Sequence, residues 1–280
     1  MAPSNALRPA VCVLAHWSIV GTHVGLCYKD EPSKTDRVIE QRWHYNTSHV
    51  DLAAFLSEAP GQVWWVANEL DPDERYDLGA RAALVANQLA ARELPYAFAL
   101  KDGRFDGQGK FIAGKSSGVS CATFLMLLFR AAGVNLLNDA SWTTGRDEVR
   151  RAEDADAQQR VVDELEKQAG LATDPKERQA LTNHAKKIKA EKDCTRFRAE
   201  EVAMASGAQA RPADYAEIEP EGRRLVAATT RGAHRFSRWP PLASPTLLVA
   251  AAPSLSAPPP VEPSDAQIPT VASSSGQEPP

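Results

Sequence analysis

Gly118-Val119-Ser120-Cys121-Ala122-Thr123-Phe124 joins a polar, glycine-bearing stretch to a dense apolar run. Ala122–Ala132 is apolar around almost its whole circumference, which predicts a helix buried on all sides. Gly133 follows as the residue that closes it. The free N–H groups and positive dipole end at a helix N-terminus both favour an anion. A thiolate is such an anion, so Cys121, in the first turn, is the candidate nucleophile.

Upstream of this junction the chain reads as sheet. Ala10–Trp17 and Thr22–Tyr28 are short apolar runs separated by Ser18-Ile19-Val20-Gly21, which predicts a hairpin. Arg37–Tyr45 and Gln62–Val66 are the third and fourth expected strands, and Val63-Trp64-Trp65-Val66 is too apolar for a surface loop. Asp71-Pro72-Asp73-Glu74 supplies helix-start chemistry, and Tyr76–Arg92 continues with Leu78, Ala82, Val85 and Leu89 at helical spacing. Leu94–Leu100 reads as an extended segment and Lys101–Gly118 as a loop. A buried helix with a polar N-terminus, packed on an antiparallel sheet, makes the expected fold class α+β.

The texture changes after residue 145. Arg146–Ala205 is charge-dense and helical, with Val161, Val162, Leu165, Leu181 and Ile188 as a thin apolar stripe and a hairpin expected at Leu171–Asp174. Asp174-Pro175-Lys176-Glu177 has an N-cap followed by proline. From residue 243 the chain is rich in Ala, Pro and Ser, which predicts disorder. The expected organisation is a catalytic domain over 1–145, a helical extension over 146–242 packed on or beside it, and a disordered tail over 243–280.

Composition bounds the function. The 280 residues are 43% hydrophobic and 24% charged with a net charge of -4, so nothing global points to nucleic acid or an anionic membrane as partner. No apolar run reaches the roughly 18 residues of a transmembrane helix. Met1 to Pro9 lacks a basic region followed by an apolar helical core, so no signal peptide is expected. Cys12, Cys27, Cys121 and Cys194 follow no framework spacing, and reduced thiols in a cytoplasmic protein are expected.

A thiol nucleophile needs a base, and the base needs a group that fixes its orientation. Among six histidines, His184 lies in a basic helical context and is expected at the surface. His49 falls in a polar loop, His234 precedes the tail and His16 stands at the mouth of the first strand. His23, in Thr22-His23-Val24-Gly25-Leu26-Cys27-Tyr28, has the best context, because Gly25 leaves room for close approach. Strand parity puts Val38, Glu40, Arg42 and His44 on one face. Glu40 and His44 are therefore the two orienting candidates, with Arg42 available to Glu40 as an ion pair.

His-Val-Gly-Leu in a strand, a second strand bearing a polar residue, and a cysteine opening a buried helix resemble the circularly permuted NlpC-like papain-fold superfamily. Its members include bacterial cell-wall peptidases and amidases and the lecithin retinol acyltransferase-like enzymes. In that branch the base strand precedes the nucleophile helix, and this chain has the same order: His23, then Glu40 or His44, then Cys121. The resemblance spans roughly residues 10 to 140. The third position in the family is usually histidine, asparagine or glutamine, from which Glu40 departs. The resemblance implies a permuted papain-like domain and a cysteine-dependent hydrolase that cleaves amide bonds of a peptide or peptidoglycan-like substrate. An acyltransferase or thioesterase acting on a lipid or acyl substrate would use the same pair. Trp17, Trp64 and Trp65 would then offer an apolar approach surface.

Other readings are weaker. Cys12-x-x-x-His16 and His23-x-x-x-Cys27 look like a zinc pattern, but strand residues four apart are about 13 Å apart, too far to converge on one ion. No metal or other cofactor is expected. Gly114-Lys115-Ser116 lacks the first glycine of a phosphate loop, and Lys186-Lys187-Ile188-Lys189 reads as a solvated helix face. A non-catalytic scaffold is the competing class, with partners meeting the helical extension or the Pro258–Pro263 segment as polyproline II.

Overall fold

Alternating apolar residues set up the first hairpin, and the sheet grows outward from it. The structure, a computed structural model, describes residues 11–18, 21–59, 63–89, 94–115, 118–191, 194–231 and 247–250. Strands β1 (Val11–Ser18) and β2 (Gly21–Asp30) pair antiparallel from Val11↔Tyr28 to Ser18↔Gly21. Gly21 has a φ of 121°, a conformation that only glycine adopts at little cost. Strands β3 (Thr35–Trp43) and β4 (Asn46–Asp51) extend the sheet on one side, followed by helix α1 (Leu52–Glu58). Strand β5 (Val63–Ala67) pairs with the free edge of β1, so the order is β4-β3-β2-β1-β5, all antiparallel.

The remaining elements are mostly helical. Helix α2 (Pro72–Leu89) opens with a reciprocal cap in which Asp71 accepts from the Glu74 N–H and Glu74 from the Asp71 N–H. A two-residue hairpin, β6 (Arg104–Phe105) with β7 (Phe111–Ile112), lies within the stretch expected to be a loop. Then come α3 (Cys121–Ala131), α4 (Asp139–Thr144), α5 (Glu148–Leu171), α6 (Pro175–Lys189), α7 (Ala199–Ser206) and α8 (Tyr215–Arg231). A last strand, β8 (Leu247–Ala250), runs antiparallel to β5 within the segment expected to be disordered.

Strand alternation divides the sheet into two apolar faces. Val13, Ala15, Val24, Leu26, Ile39, Trp64 and Val66 pack with residues of α2, α3, α7 and α8 in the larger core. Cys12, Leu14, Cys27, Val38 and Trp65 face the other way, under Leu52 and Phe55 of α1. Val202, Ala203 and Met204 of α7 and Leu225 of α8 belong to the same core as β1, β2 and α3, so the chain beyond 145 contributes to the core and not only to its outside. The α5–α6 hairpin closes a smaller core of Val161, Val162, Leu165, Leu181 and Ile188 against Tyr96 and Phe98.

Several expectations need correction. The polar run Asn46–Asp51 is a strand, not a loop, and its His49 bonds the Tyr28 hydroxyl at 2.7 Å. Trp64 and Trp65 are buried in the two cores, so they form no approach surface. The side chain of Trp17, His234 and the segment Pro258–Pro263 lie outside the described residues. No helix among the described residues is long and apolar enough to cross a membrane.

Candidate active site

Helix α3 begins at Cys121 because Ser120 caps it. The Ser120 Oγ accepts from the Thr123 N–H at 3.2 Å, and Thr123 Oγ1 accepts from the Ser120 N–H at 2.7 Å, a reciprocal box. Just upstream, the Val119 N–H donates to the Pro95 carbonyl at 2.9 Å. A Cβ on Gly118 would stand 2.1 Å from that carbonyl oxygen, so only glycine permits the two segments to touch. Gly133, at φ 78°, closes the helix at its far end. This anchoring holds the Cys121 sulfur against the rest of the site.

His23 and Glu40 come together across β2 and β3. The ladder between these strands runs from Asp30↔Thr35 to Leu26↔Ile39. One step further, Gly25 faces Glu40: a Cβ on Gly25 would lie 3.1 Å from the Glu40 Cβ. His23 is two residues along on the same face of β2, so it stands diagonal to Glu40, a separation of about 7–8 Å that long side chains bridge. With no side chain at Gly25 to intervene, His23 Nε2 reaches Glu40 Oε2 at 2.8 Å. Both are buried, Glu40 at 1% exposure. The other carboxylate oxygen, Oε1, accepts from Arg42 Nε, and Arg42 also reaches Glu58 at 3.2 Å.

The electrostatics follow from these contacts. Burial alone would lower the His23 pKa. The Cys121 sulfur, which lies within hydrogen-bonding reach, and then the Glu40 carboxylate outweigh it and push it up to about 10. With Nε2 committed to Glu40, the ring nitrogen left for the sulfur is Nδ1. Burial would likewise raise the Glu40 carboxyl, but the bonds and charges of His23 and Arg42 hold it below the usual carboxylate range. The imidazole is therefore protonated at neutral pH, between two groups that favour that state.

His44, the other expected orienting residue, is engaged elsewhere. A register shift between Gln41 and Trp43 breaks the strand parity that would align it with Glu40. Its Nδ1 accepts from the Tyr96 N–H at 3.1 Å, and its ring stacks on His184 with centroids 4.1 Å apart. His184, expected at the surface, is buried, and its Nε2 donates to the Tyr96 carbonyl. Burial and then the neighbouring His184 lower the His44 pKa to about 4. These two neutral imidazoles satisfy both backbone groups of Tyr96, and the Glu191 carboxylate accepts from the Phe98 and Ala99 N–H groups at 3.2 and 3.3 Å. Side chains thus serve much of the extended segment over 94–100, beside backbone bonds from the Tyr45 and Val119 N–H groups to the Leu94 and Pro95 carbonyls.

Tyr96, which has no recognisable motif around it, joins Cys121 and His23 in lining an open cleft of about 500 Å³. Residues of α5, α8, the turn before α7 and the start of α7 also line it. Among the described residues one group has metal-binding spacing: His16 and His23, cross-strand partners, and Glu40 offer ligand atoms within 4.8 Å of one another. Both Glu40 oxygens are already engaged, Oε2 by His23 Nε2 and Oε1 by Arg42 Nε, so the trio is held together by its own hydrogen bonds. Comparisons with protein-family models, with curated proteins and with solved structures find no match.

Proposed function

We propose that the protein is a cysteine hydrolase that cleaves an amide bond of a peptide or peptidoglycan-like substrate through a thioester, on a permuted papain-like domain. The observation that carries this reading is the buried Glu40–His23 pair, joined at 2.8 Å, with the second ring nitrogen left to Cys121 at the wall of an open cleft. The Cys121 thiolate attacks the carbonyl carbon; a C–S bond forms and the carbonyl electron pair moves onto oxygen. The Cys121 N–H, among those at a helix start with no intrahelical acceptor, can meet that oxyanion. His23 then gives its Nδ1 proton to the leaving nitrogen as the C–N bond breaks. Water, deprotonated by the same nitrogen, attacks the thioester and releases the acid and the thiolate. Glu40 holds the ring and stabilises its charged form throughout. Transfer to another nucleophile would use the same residues.

The test is incubation with 4-nitrophenyl acetate, with the acylated residue located by mass spectrometry. Acetylation at Cys121, with turnover lost in Cys121→Ser and His23→Ala, is expected. Absence of an adduct at Cys121, together with iodoacetamide alkylation of Cys121 no faster than that of Cys194, would sink the proposal in favour of a scaffold.

A further inference from the structure

Six arginines line the cleft beside Cys121: Arg42, Arg150, Arg160, Arg196, Arg198 and Arg223. Four are neutralised by the protein itself. Arg42 meets Glu40 and Glu58, Arg150 meets Glu153 and Glu219, Arg198 meets Asp154 and Glu153, and Arg223 meets Glu219. Arg160 and Arg196 have no carboxylate within 4.0 Å among the described residues. Arg160 is exposed and solvated. Arg196 is half-buried: burial pulls its pKa below the usual guanidinium value, although the more distant Asp154 and Glu200 carboxylates act in the opposite sense. Its guanidinium stands 4.5 Å over the Phe98 ring, and its hydrogen bond to the protein is a long one, Nη1 to the Asp154 carbonyl at 3.4 Å.

A guanidinium partly withdrawn from water, with no carboxylate in direct contact, is stabilised by an anion that can reach it. Stacking on Phe98 occupies one face of the guanidinium and leaves its in-plane N–H fork available, the geometry that suits a planar carboxylate. Glu153 and Glu200 also line the cleft, so a doubly charged phosphate would be repelled where a single carboxylate is tolerated. We propose that the cleft takes an acyl substrate bearing a carboxylate, received by the Arg196 guanidinium while Cys121 attacks the carbonyl. This rests on the hydrolase reading above and adds its substrate class.

The test compares 4-nitrophenyl hydrogen adipate with 4-nitrophenyl hexanoate, which match in chain length and differ in the terminal carboxylate. In each, the thiolate forms a C–S bond, the ester C–O bond breaks and 4-nitrophenolate leaves with the electron pair; water then frees the acid. With each rate corrected for uncatalysed hydrolysis, the wild type should favour the adipate ester in kcat/KM by about 10- to 100-fold, the range of a charge-assisted hydrogen bond. Arg196→Gln should collapse that ratio towards unity and Arg196→Lys should retain part of it. Arg104→Gln, exposed on β6 and outside the cleft lining, controls for net charge. The wild-type ratio needs no variant, so misfolding of Arg196→Gln leaves the test intact. Equal rates for the two esters would overturn the carboxylate assignment alone, whereas failure of both to acylate Cys121 would overturn the hydrolase reading beneath it. Protection of Cys121 from iodoacetamide by inorganic phosphate but not by adipate would also overturn the assignment.

Discussion

Glu40→Gln isolates the charge that sustains the site. The substitution keeps an oxygen near His23 Nε2, now 2.8 Å from the carboxylate, but removes the negative charge. An opposite charge at such range moves a titrating group by about 1–3 units, or about 1.4–4 kcal/mol. His23 stands at about 10 in the wild type, so the variant should titrate between about 7 and 9. Histidine labelled with ¹⁵N reports this directly, because the two ring nitrogens shift apart as the imidazolium loses its proton. Arg42→Gln is the contrasting variant: it removes the cation that competes for the same carboxylate and should leave the His23 pKa unchanged or higher. A wild-type His23 titrating near 6.5, or one unmoved by Glu40→Gln, would refute the reasoning. An equal fall in both variants would also refute it, by assigning the effect to loosening of β3 and not to charge.

The other predictions concern what holds the site. Gly118→Ala forces a Cβ to within 2.1 Å of the Pro95 carbonyl. It should cost about 1–3 kcal/mol in urea unfolding, and an unchanged midpoint would contradict the close approach. Glu201 is fully buried and accepts from Trp142 Nε1 at 2.9 Å and Arg146 Nη2 at 2.8 Å. Glu201→Ala leaves Arg146 with Asp154 as its remaining carboxylate and the Trp142 N–H without its acceptor, and should cost about 1–3 kcal/mol by the same measurement, with an unchanged midpoint contradicting the network. His44 titrates at about 4 when folded, against about 6.5 unfolded. The unfolded chain therefore binds the extra proton between those values, and the stability tied to keeping His44 neutral, present above pH 6.5, is lost as pH falls towards 4. His44→Asn, which retains an acceptor for the Tyr96 N–H, should flatten that acid limb of the urea midpoint. An unchanged slope would count against the depressed value.

Much of the fold was legible because two periodicities dominate it. Val24, Leu26 and Tyr28 alternate with His23, Gly25 and Cys27, and that alternation separates the two faces of β2. Leu78, Ala82, Val85 and Leu89 mark the buried stripe of α2. Strand β4 was not legible, because Asn46–Asp51 lies at the sheet edge and carries polar residues of low strand propensity. His44 was misplaced by parity alone, since a register shift beside Gln41 is set by pairing with β4 and leaves no local mark. His184 is different. Leu181, His184, Ala185 and Ile188 are the buried residues of α6, at the i, i+3, i+4 and i+7 positions of an apolar stripe. The lysines beside it suggested a surface, but the periodicity carried the better signal.

Arg196 shows where sequence reading stops for a physical reason. Charged residues in Arg146–Ala205 look alike by composition, because a solvated guanidinium and a buried one have the same local neighbours. What separates them is which carboxylates the α5–α6 hairpin and α7 bring within reach, and that is decided by helices folding back on the sheet. Asp154 illustrates the point, since its carboxylate pairs with Arg146 and Arg198 at once, while Arg196 receives its backbone carbonyl and feels the carboxylate only at longer range. The proposed nucleophile and base come from α3 and β2, with Glu40 from β3, while the cation proposed to receive the substrate comes from the turn before α7. On the proposed reading, chemistry and selection are carried by separate stretches of chain that line one cleft. A change at Arg196 should accordingly alter which acyl group reacts while leaving the His23–Glu40 bond in place. The same ¹⁵N titration in Arg196→Gln tests this separation: a His23 pKa displaced as far as in Glu40→Gln would show that the two walls are electrostatically one site.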